Sequence, residues 1–328
     1  MKVLVIGSNS FSGSNLINAL LNEGYEVFGI SRSDEYPRIF LPYKNNFNIK
    51  NFTFKKFNLN FDNNKIAKLV KKEKIKNIFN FAAQGEVRSS FYFPLDHYQT
   101  NLMAHVNFLE KIKNFQFIEN YIQISTPEVY GSNKKFVFES FNLNPSSPYA
   151  SSKASLDLYL LTLYKTYGFP VKFIRSSNVY GPCQQLYRIV PKSFILFDQN
   201  KKIHLDGGGK AKKIYTYIDD ISEGEILVMQ KGKIGEIYHL SSNKLISIKA
   251  LVKKISNYSN KNFSNCIEIS KERIGQDRHY NVSSKKINNE LKWKAKTDLD
   301  LGLMMTYKWV QENINYLKKK KLFYQHKK

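Results

Sequence analysis

The chain has 328 residues, with 51 lysines and arginines against 27 aspartates and glutamates, for a formal net charge of +24. That length supports a substantial core in one large or two modest domains, and no apolar run reaches the roughly eighteen residues of a membrane span. No low-complexity tract or internal repeat is visible, and the lysine excess is spread along the chain without a nucleic-acid motif, so the expectation is a soluble globular protein with neither a membrane nor a nucleic acid as partner.

Residues 1–6 form a short continuous apolar run of the kind a strand buried on both faces shows. Gly7 to Gly13 follow as a turn of glycine and small serines, and Leu16, Ile17, Leu20 and Leu21 then recur with helical spacing. Asn22, Glu23 and Gly24 read as a helix stop, and Tyr25 to Ser31 as a second strand. Strand, glycine turn, helix and strand in this order make the dinucleotide-binding unit, where a helix N-terminus and its free amides receive a pyrophosphate. Gly7, Ser10, Phe11 and Gly13 are its candidate cofactor contacts, with Ser10 where a middle glycine is usual. After the second strand an NAD site usually offers a carboxylate to the ribose hydroxyls. Here Ser31, Arg32 and Ser33 stand there, and Asp34 and Glu35 come only afterwards. A guanidinium suits a 2′-phosphate better than a bare diol, so the cofactor reads as NAD(P) with a lean toward NADP; the alternative is that Arg32 is an ordinary surface residue.

Asn77 to Ala83 read as another buried strand, and Tyr98 to Met103 lead into a helix ending near Lys113. Tyr121 to Thr126 read as the next strand, followed by Pro127, Glu128, Val129, Tyr130 and Gly131. Ligands of open α/β sheets collect at the carboxyl ends of strands, which places Thr126 and Glu128 for chemistry. A helix from Tyr149 to about Tyr167 puts Tyr149 and Lys153 one turn apart on one face. A cation beside a phenol favours the phenolate, so Tyr149 is a candidate base at neutral pH. Val171 to Arg175 read as a further strand. From about Gly181 the alternation loosens into what reads as loops and short helices, which divides the chain into a mainly dinucleotide-binding part, 1–180, and a mainly substrate-binding part, 181–328, with some segments returning to the first sheet. Lys318 to Lys321 read as a helix end, where cations complement the carbonyl dipole. A chain that opens on a strand is expected to lack a signal peptide, and Cys183 and Cys266 lie far apart outside any metal-ligand pattern. The expectation is a cytoplasmic protein with no structural disulfide and no metal.

Longer stretches carry a family likeness. They are Phe81 to Gln84, Ile124 to Gly131, Ser146 to Lys153, Ser177 to Pro182, Gly207 to Gly209, Tyr217 to Asp220, Arg273 to Tyr280 and Glu290 to Lys294. Together they resemble the extended short-chain dehydrogenase/reductases, and within these the nucleotide-sugar 4,6-dehydratases of dTDP-glucose or GDP-mannose type. The resemblance implies a doubly wound Rossmann α/β fold, a parallel sheet with a smaller carboxyl-terminal substrate-binding domain. It also implies that Tyr149 takes the proton of a sugar 4-hydroxyl while C4 hydride goes to the nicotinamide. Lys153 would hold the nicotinamide ribose and lower the Tyr149 pKa, Thr126 would bond the 4-oxygen, and Glu128 would take the C5 proton before water leaves from C6 and hydride returns there. Asn58, Leu59, Ala82 and Ala83 join the implied cofactor site, and Asn178, Lys213 and Arg278 match positions that meet the nucleotide diphosphate. A homodimer is implied through the helix before Lys113 and the Tyr149 helix, where Leu156, Tyr159, Leu160 and Leu163 share a face that serves either the dimer or the core.

One departure stands out. In dTDP-glucose dehydratases an aspartate precedes this glutamate and protonates the leaving 6-hydroxyl, and here the residue is Pro127. The acid is then Glu128, a water, or the hydroxyl of Ser125 or Thr126; GDP-mannose dehydratases also lack that aspartate. The sequence reads as a nucleotide-sugar 4,6-dehydratase in deoxysugar and surface-glycan (lipopolysaccharide O-antigen) synthesis. A 4-epimerase on the same scaffold and a non-catalytic cofactor-binding protein are the alternatives.

Overall fold

In the computed structural model, which describes residues 1–271, 275 and 280–327, the first apolar run forms β1 (Lys2–Ile6) with Val3 to Ile6 fully buried. There follow α1 (Phe11–Asn22), β2 (Glu26–Ser31), β3 (Phe52–Lys56), α2 (Asn63–Glu73) and β4 (Asn77–Asn80). Next come α3 (Ala104–Ile112), β5 (Asn120–Ile124), α4 (Pro148–Tyr167), β6 (Val171–Ser176) and β7 (Asn178–Tyr180). Further on are α5 (Ile189–Asp198), β8 (Lys212–Tyr217), α6 (Ile218–Lys231), β9 (Ile237–Leu240) and α7 (Leu299–Leu317).

Seven strands make one sheet in the order β9-β6-β5-β4-β1-β2-β3, with every neighbouring pair parallel. Parallel neighbours need crossovers, and these put helices on both faces. Strand alternation shows why both faces must be covered. Leu4 and Ile6 of β1 pack with Ile66, Phe108, Leu109, Leu156 and Leu160 from α2, α3 and α4. Val3 and Val5 pack on the other side with Leu16, Leu20, Ile221 and Val228 from α1 and α6. The expected doubly wound Rossmann fold is therefore present. Strand order reverses between β1 and β4, and the crevice outside the carboxyl ends of those strands is where such sheets bind ligands. A third core, around Tyr180, Phe194, Phe197, Trp309 and Val310, supports the second part of the chain. There β8 pairs with β7 in a small separate sheet.

Several expectations are corrected. The region after Gly181 holds long helices, of 14 residues in α6 and 19 in α7, where loops and short helices were expected; β9 is a segment that returns to the main sheet, at its edge. Leu156, Leu160 and Leu163 are buried in the core beneath the sheet, so they offer no dimer surface; the exposed apolar residues of these helices and the turn before them include Leu158 and Met103. The helix before Lys113 is interrupted by a π turn at Gln99–Met103. The strand expected to reach Thr126 stops at Ile124, because Pro127 opens a short 3-10 helix, Pro127–Tyr130, for which Thr126 is the cap. Helix α7 ends at Leu317, just before the lysine run. No helix of the described residues is long and apolar enough to cross a membrane.

Three histidines are fully buried in this frame: His97, His105 and His239. Burial pushes them down to about 4, about 3 and about 3 respectively, with nearby positive charge (from His326, Lys153 and Arg175) adding to the effect. Unfolded histidines take up protons below about 6.5, where these remain neutral, so the unfolded chain binds more protons as pH falls. Each should therefore remove about 1.4 kcal/mol of stability per pH unit below about 6. Thermal melts should show the midpoint falling steeply from pH 7 to pH 5, and His105→Gln should flatten that slope.

Candidate active site

The turn after β1 is set by steric necessity. Gly7 has φ +89°, and a Cβ there would lie 2.9 Å from the Ala82 amide nitrogen. At Gly13 a Cβ would lie 2.6 Å from the Gly7 carbonyl oxygen. Ser10 uses its hydroxyl to cap α1, accepting from the Gly13 amide at 3.0 Å, which is why a serine serves where a glycine was expected. Beside this cradle the buried Ser8 hydroxyl and the Asn9 side-chain carbonyl have no hydrogen-bond partner among the described residues. A glycine cradle, a 12-residue helix starting from it and unsatisfied polar atoms fit a phosphate group. Phe11 is the first residue of α1 and is buried.

Arg32 follows β2 directly and is exposed; its Nη1 donates to the Lys327 carbonyl at 3.1 Å. The carboxylates beyond it are engaged elsewhere, Asp34 with Lys56 at 2.8 Å and Glu35 with Lys44 at 2.7 Å. Asn58 and Leu59 follow β3, Leu59 being buried, and Ala82 and Ala83 follow β4. Gly7, Ser10, Phe11, Gly13, Arg32, Asn58, Leu59, Ala82 and Ala83 thus all follow the carboxyl ends of β1 to β4. The Ala82 carbonyl is fixed by His105 Nε2 at 3.0 Å, while Asn80 lies 3.2 Å from His105 Nδ1 and donates to Gln123 at 2.7 Å. Those two partners assign the proton to Nε2 of His105.

Thr126 and Glu128 lie on the turn after β5. Thr126 is buried and its hydroxyl accepts from the Glu128 amide at 3.3 Å; Glu128 is half-buried. Tyr149 and Lys153 occupy the first turns of α4, which Ser147 caps and Pro148 begins. The phenol is held above its ordinary value by burial first and by the Glu128 charge second, with Thr126 and Arg188 acting the other way. Burial pulls Lys153 down to about 8, against the opposing pull of Asp157. The Lys153 ammonium donates to the Ile124 carbonyl at 2.8 Å. The expectation that Lys153 lowers the Tyr149 pKa is therefore not met here: burial dominates both groups, and the cation is turned to a carbonyl.

On the far side, Asn178 donates to the Ile214 carbonyl at 3.2 Å and pairs with Tyr215 across β7 and β8, with Lys213 two residues before Tyr215 in β8. Arg278 lies outside the described residues.

Two groups of positioning residues escape a reading by motif. Asn101, in the π turn, accepts from the Gln84 amide at 2.7 Å and donates to the Gln84 carbonyl at 3.1 Å and to Ser152 Oγ at 3.0 Å. It ties the segment after β4 to the helix bearing Tyr149; π turns often mark such re-aimed side chains. Asp157, one turn after Lys153, accepts from Ser125 at 2.6 Å and from Arg175 at 2.8 Å, with both charged side chains fully buried. Arg175 also donates to the Tyr130 hydroxyl at 2.5 Å and to the Ser140 carbonyl at 2.8 Å. Ser125 and Tyr130 bracket Thr126 and Glu128. The only legible trace of this network is a charged residue inside an apolar strand.

The family model for GDP-mannose 4,6 dehydratase matches residues 4–306. Human dTDP-D-glucose 4,6-dehydratase is 31% identical over 323 residues, covering 96% of this chain and 91% of that protein. The structure of dTDP-glucose 4,6-dehydratase from Bacillus anthracis in complex with NAD superposes with a TM-score of 0.84 at 31% identity, covering 97% of this chain and 99% of that one. UDP-glucose 4-epimerase of Thermotoga maritima with UDP-glucose has a TM-score of 0.85 at 25% identity, covering 96% and 100%.

Asp157→Asn tests the buried pair. It leaves the Arg175 guanidinium without its counter-charge, so urea denaturation should show a loss of about 3 to 5 kcal/mol. Replacing both, as Asp157→Leu with Arg175→Met, should recover much of that loss.

Proposed function

The chain belongs to the GDP-mannose 4,6 dehydratase family, and we propose that its own residues carry out the 4,6-dehydration of a nucleotide-diphosphate sugar in the following way. A bound nicotinamide dinucleotide supplies the hydride acceptor that oxidises C4 and later reduces C6. Gly7, Ser10, Phe11 and Gly13 seat its pyrophosphate, with Asn58, Leu59, Ala82 and Ala83 along its length, and Lys153 at the nicotinamide ribose. Tyr149 takes the 4-hydroxyl proton, and Thr126 holds the 4-oxygen. The resulting 4-ketone acidifies the C5 hydrogen, which Glu128 removes. The C5–H bond and the C6–O bond break, a C5=C6 double bond forms, and the 6-hydroxyl leaves as water; when hydride is returned to C6, the double bond is consumed and C5 takes a proton that comes from solvent.

The acid for that leaving group is the open step at Pro127. Ser125 is a poor candidate, because its hydroxyl proton is committed to Asp157 at 2.6 Å. We infer that Glu128 returns the proton it took from C5 to the departing hydroxyl, so one carboxylate acts first as base and then as acid. Asn178, Lys213 and Arg278 are assigned to the nucleotide diphosphate. What supports the reading is that Thr126 and Glu128, on the turn after β5, act on Tyr149 of α4, with Lys153 one turn further along that helix. An epimerase needs Tyr149 and Lys153 but has no use for a C5 base at Glu128.

The finer readings follow from particular residues. NADP is favoured because Arg32 comes directly after β2 while Asp34 and Glu35 pair with lysines. A homodimer through the outer faces of α3 and α4 accords with the exposure of Leu158 and Met103. A cytoplasmic place in surface-glycan synthesis accords with a nucleotide-sugar substrate.

Incubation with dTDP-, GDP-, UDP- and CDP-sugars should give a product lighter by one water, and in deuterated water that product should carry deuterium at C5. Tyr149→Phe should lower turnover about 100- to 10,000-fold. Glu128→Gln should stall with a 4-keto sugar that keeps its 6-hydroxyl; wild-type turnover with no deuterium at C5 and the hydroxyl intact would make the protein an epimerase. Titration calorimetry on Arg32→Ala should show NADP affinity falling by about tenfold or more and NAD affinity changing less. Equal losses for both would remove the 2′-phosphate role.

A further inference from the structure

Beyond α7 the chain turns back toward the crevice. Along residues 322–327 burial alternates: Leu322, Tyr324 and His326 face inward, while Phe323, Gln325 and Lys327 are exposed. Leu322 packs on the core of the second part. The Tyr324 ring meets Tyr187 edge-on at 5.3 Å, and its hydroxyl donates to Gln84 Oε1 at 3.2 Å. The His326 ring stacks on Phe93 at 4.2 Å with 3° between the planes, and its Nε2 lies 2.7 Å from Asp96 Oδ2. The Lys327 carbonyl accepts from Gln84 Nε2 at 2.6 Å and from Arg32 Nη1 at 3.1 Å.

These contacts are spread in an informative way. Arg32 follows β2 and Gln84 follows β4, and in the sheet these strands flank β1 on its two sides. Tyr187 belongs to the second part of the chain, just after β7. A single extended run therefore spans the crevice where strand order reverses and ties it to the opposite wall. Gln84, in the segment after β4, is almost completely buried.

We propose that residues 322–327 form a strap across the dinucleotide crevice and retain a bound dinucleotide there. This rests on the cofactor reading above, and the reaction gives it a purpose. Hydride taken from C4 is returned to C6, so the dinucleotide ends each turnover in the form in which it began. An enzyme of that kind loses nothing by releasing its dinucleotide slowly. An enzyme that exports a reduced cofactor would be throttled by the same strap. The run is held by ring contacts to Phe93 and Tyr187, the contact of His326 with Asp96 and hydrogen bonds to Gln84 and Arg32, none of them within a helix or strand ladder, so it can open for loading without unfolding any helix.

The test uses the full chain preloaded with radiolabelled NAD or NADP, diluted into excess unlabelled dinucleotide, with the retained label followed by rapid filtration. The double variant Tyr324→Ala with His326→Ala should release label at least about tenfold faster than wild type, since it removes a stacked ring and a charge-assisted bond. Phe323→Ala, on the outward side of the same run, should release at the wild-type rate. Equal release by all three proteins overturns the strap and leaves the cofactor reading standing. Slower release by the double variant also overturns it, and makes the run a competitor for the crevice. A wild-type protein that retains neither dinucleotide overturns the cofactor reading and the strap together.

Discussion

The buried pair of Asp157 and Arg175 is the contact on which the geometry of the site depends. Neither charge tolerates burial alone, so each fixes the position of the other. Asp157 rides on α4, the helix that carries Tyr149 and Lys153. Arg175 sits on β6, next to β5 in the sheet. Through Ser125 and Tyr130 the pair then reaches both ends of the turn bearing Thr126 and Glu128. The network continues from Tyr130 to His239, whose Nε2 is 2.8 Å from the Tyr130 hydroxyl and whose Nδ1 is 3.2 Å from the Ser283 carbonyl. With His239 neutral, these partners place its proton on Nδ1, so every link in the chain has one donor and one acceptor. Apolar side chains of equal volume could pack here as stably, but they could not set hydroxyl directions. The pair is therefore better understood as a positioning device than as a source of stability.

The same carboxylate also sets charge at the site. Asp157 favours the charged form of Lys153 against burial, and it adds to the influences that keep the proton on Tyr149. Base and cation are thus held back together by burial, the largest cause for each. A phenol held high is a poor base until positive charge comes close to it, and Arg188 already acts in that direction.

How legible this was depended on the range of the interaction. The dinucleotide unit could be read from residues 1–31 because each of its signals is local. A continuous apolar strand, glycines that steric contact makes obligatory and a helical repeat all fall within one short window. Tyr149 and Lys153 were legible for the same reason, being one helical turn apart. Asp157, Arg175 and Asn101 were not, because each acquires its role from partners far away in sequence, and the π turn that aims Asn101 has no composition of its own. Leu156, Leu160 and Leu163 show a different failure: helical spacing identifies an apolar face but not what covers it, and the sheet covers this one. Beyond Gly181 the rhythm was obscured because β9 has only four residues and the small sheet of β7 and β8 interrupts the alternation. The run proposed as a strap left no mark, since Leu322 to Lys327 show neither a helical nor a strand period.

Pro127 shows how one substitution in a family pattern changes the chemistry open to its neighbours. Proline at the first position of the 3-10 helix presets the backbone and has no amide to satisfy, so the turn needs only Thr126 as its cap. The residue is itself buried, which leaves neither room nor polarity at that position for a proton donor. Of the two hydroxyls nearby, Ser125 is bound to Asp157, and Thr126 accepts from the amide of Glu128. On the mechanism we propose, the turn concentrates its proton chemistry in a single carboxylate. Glu128, once it has taken the C5 proton, is then the acid for the bond that breaks next, and the turn keeps it within reach for both steps. The rigidity that the proline gives the turn, and that the Asp157 and Arg175 network gives both of its ends, is what this proposal relies on for one group to serve where two are usual.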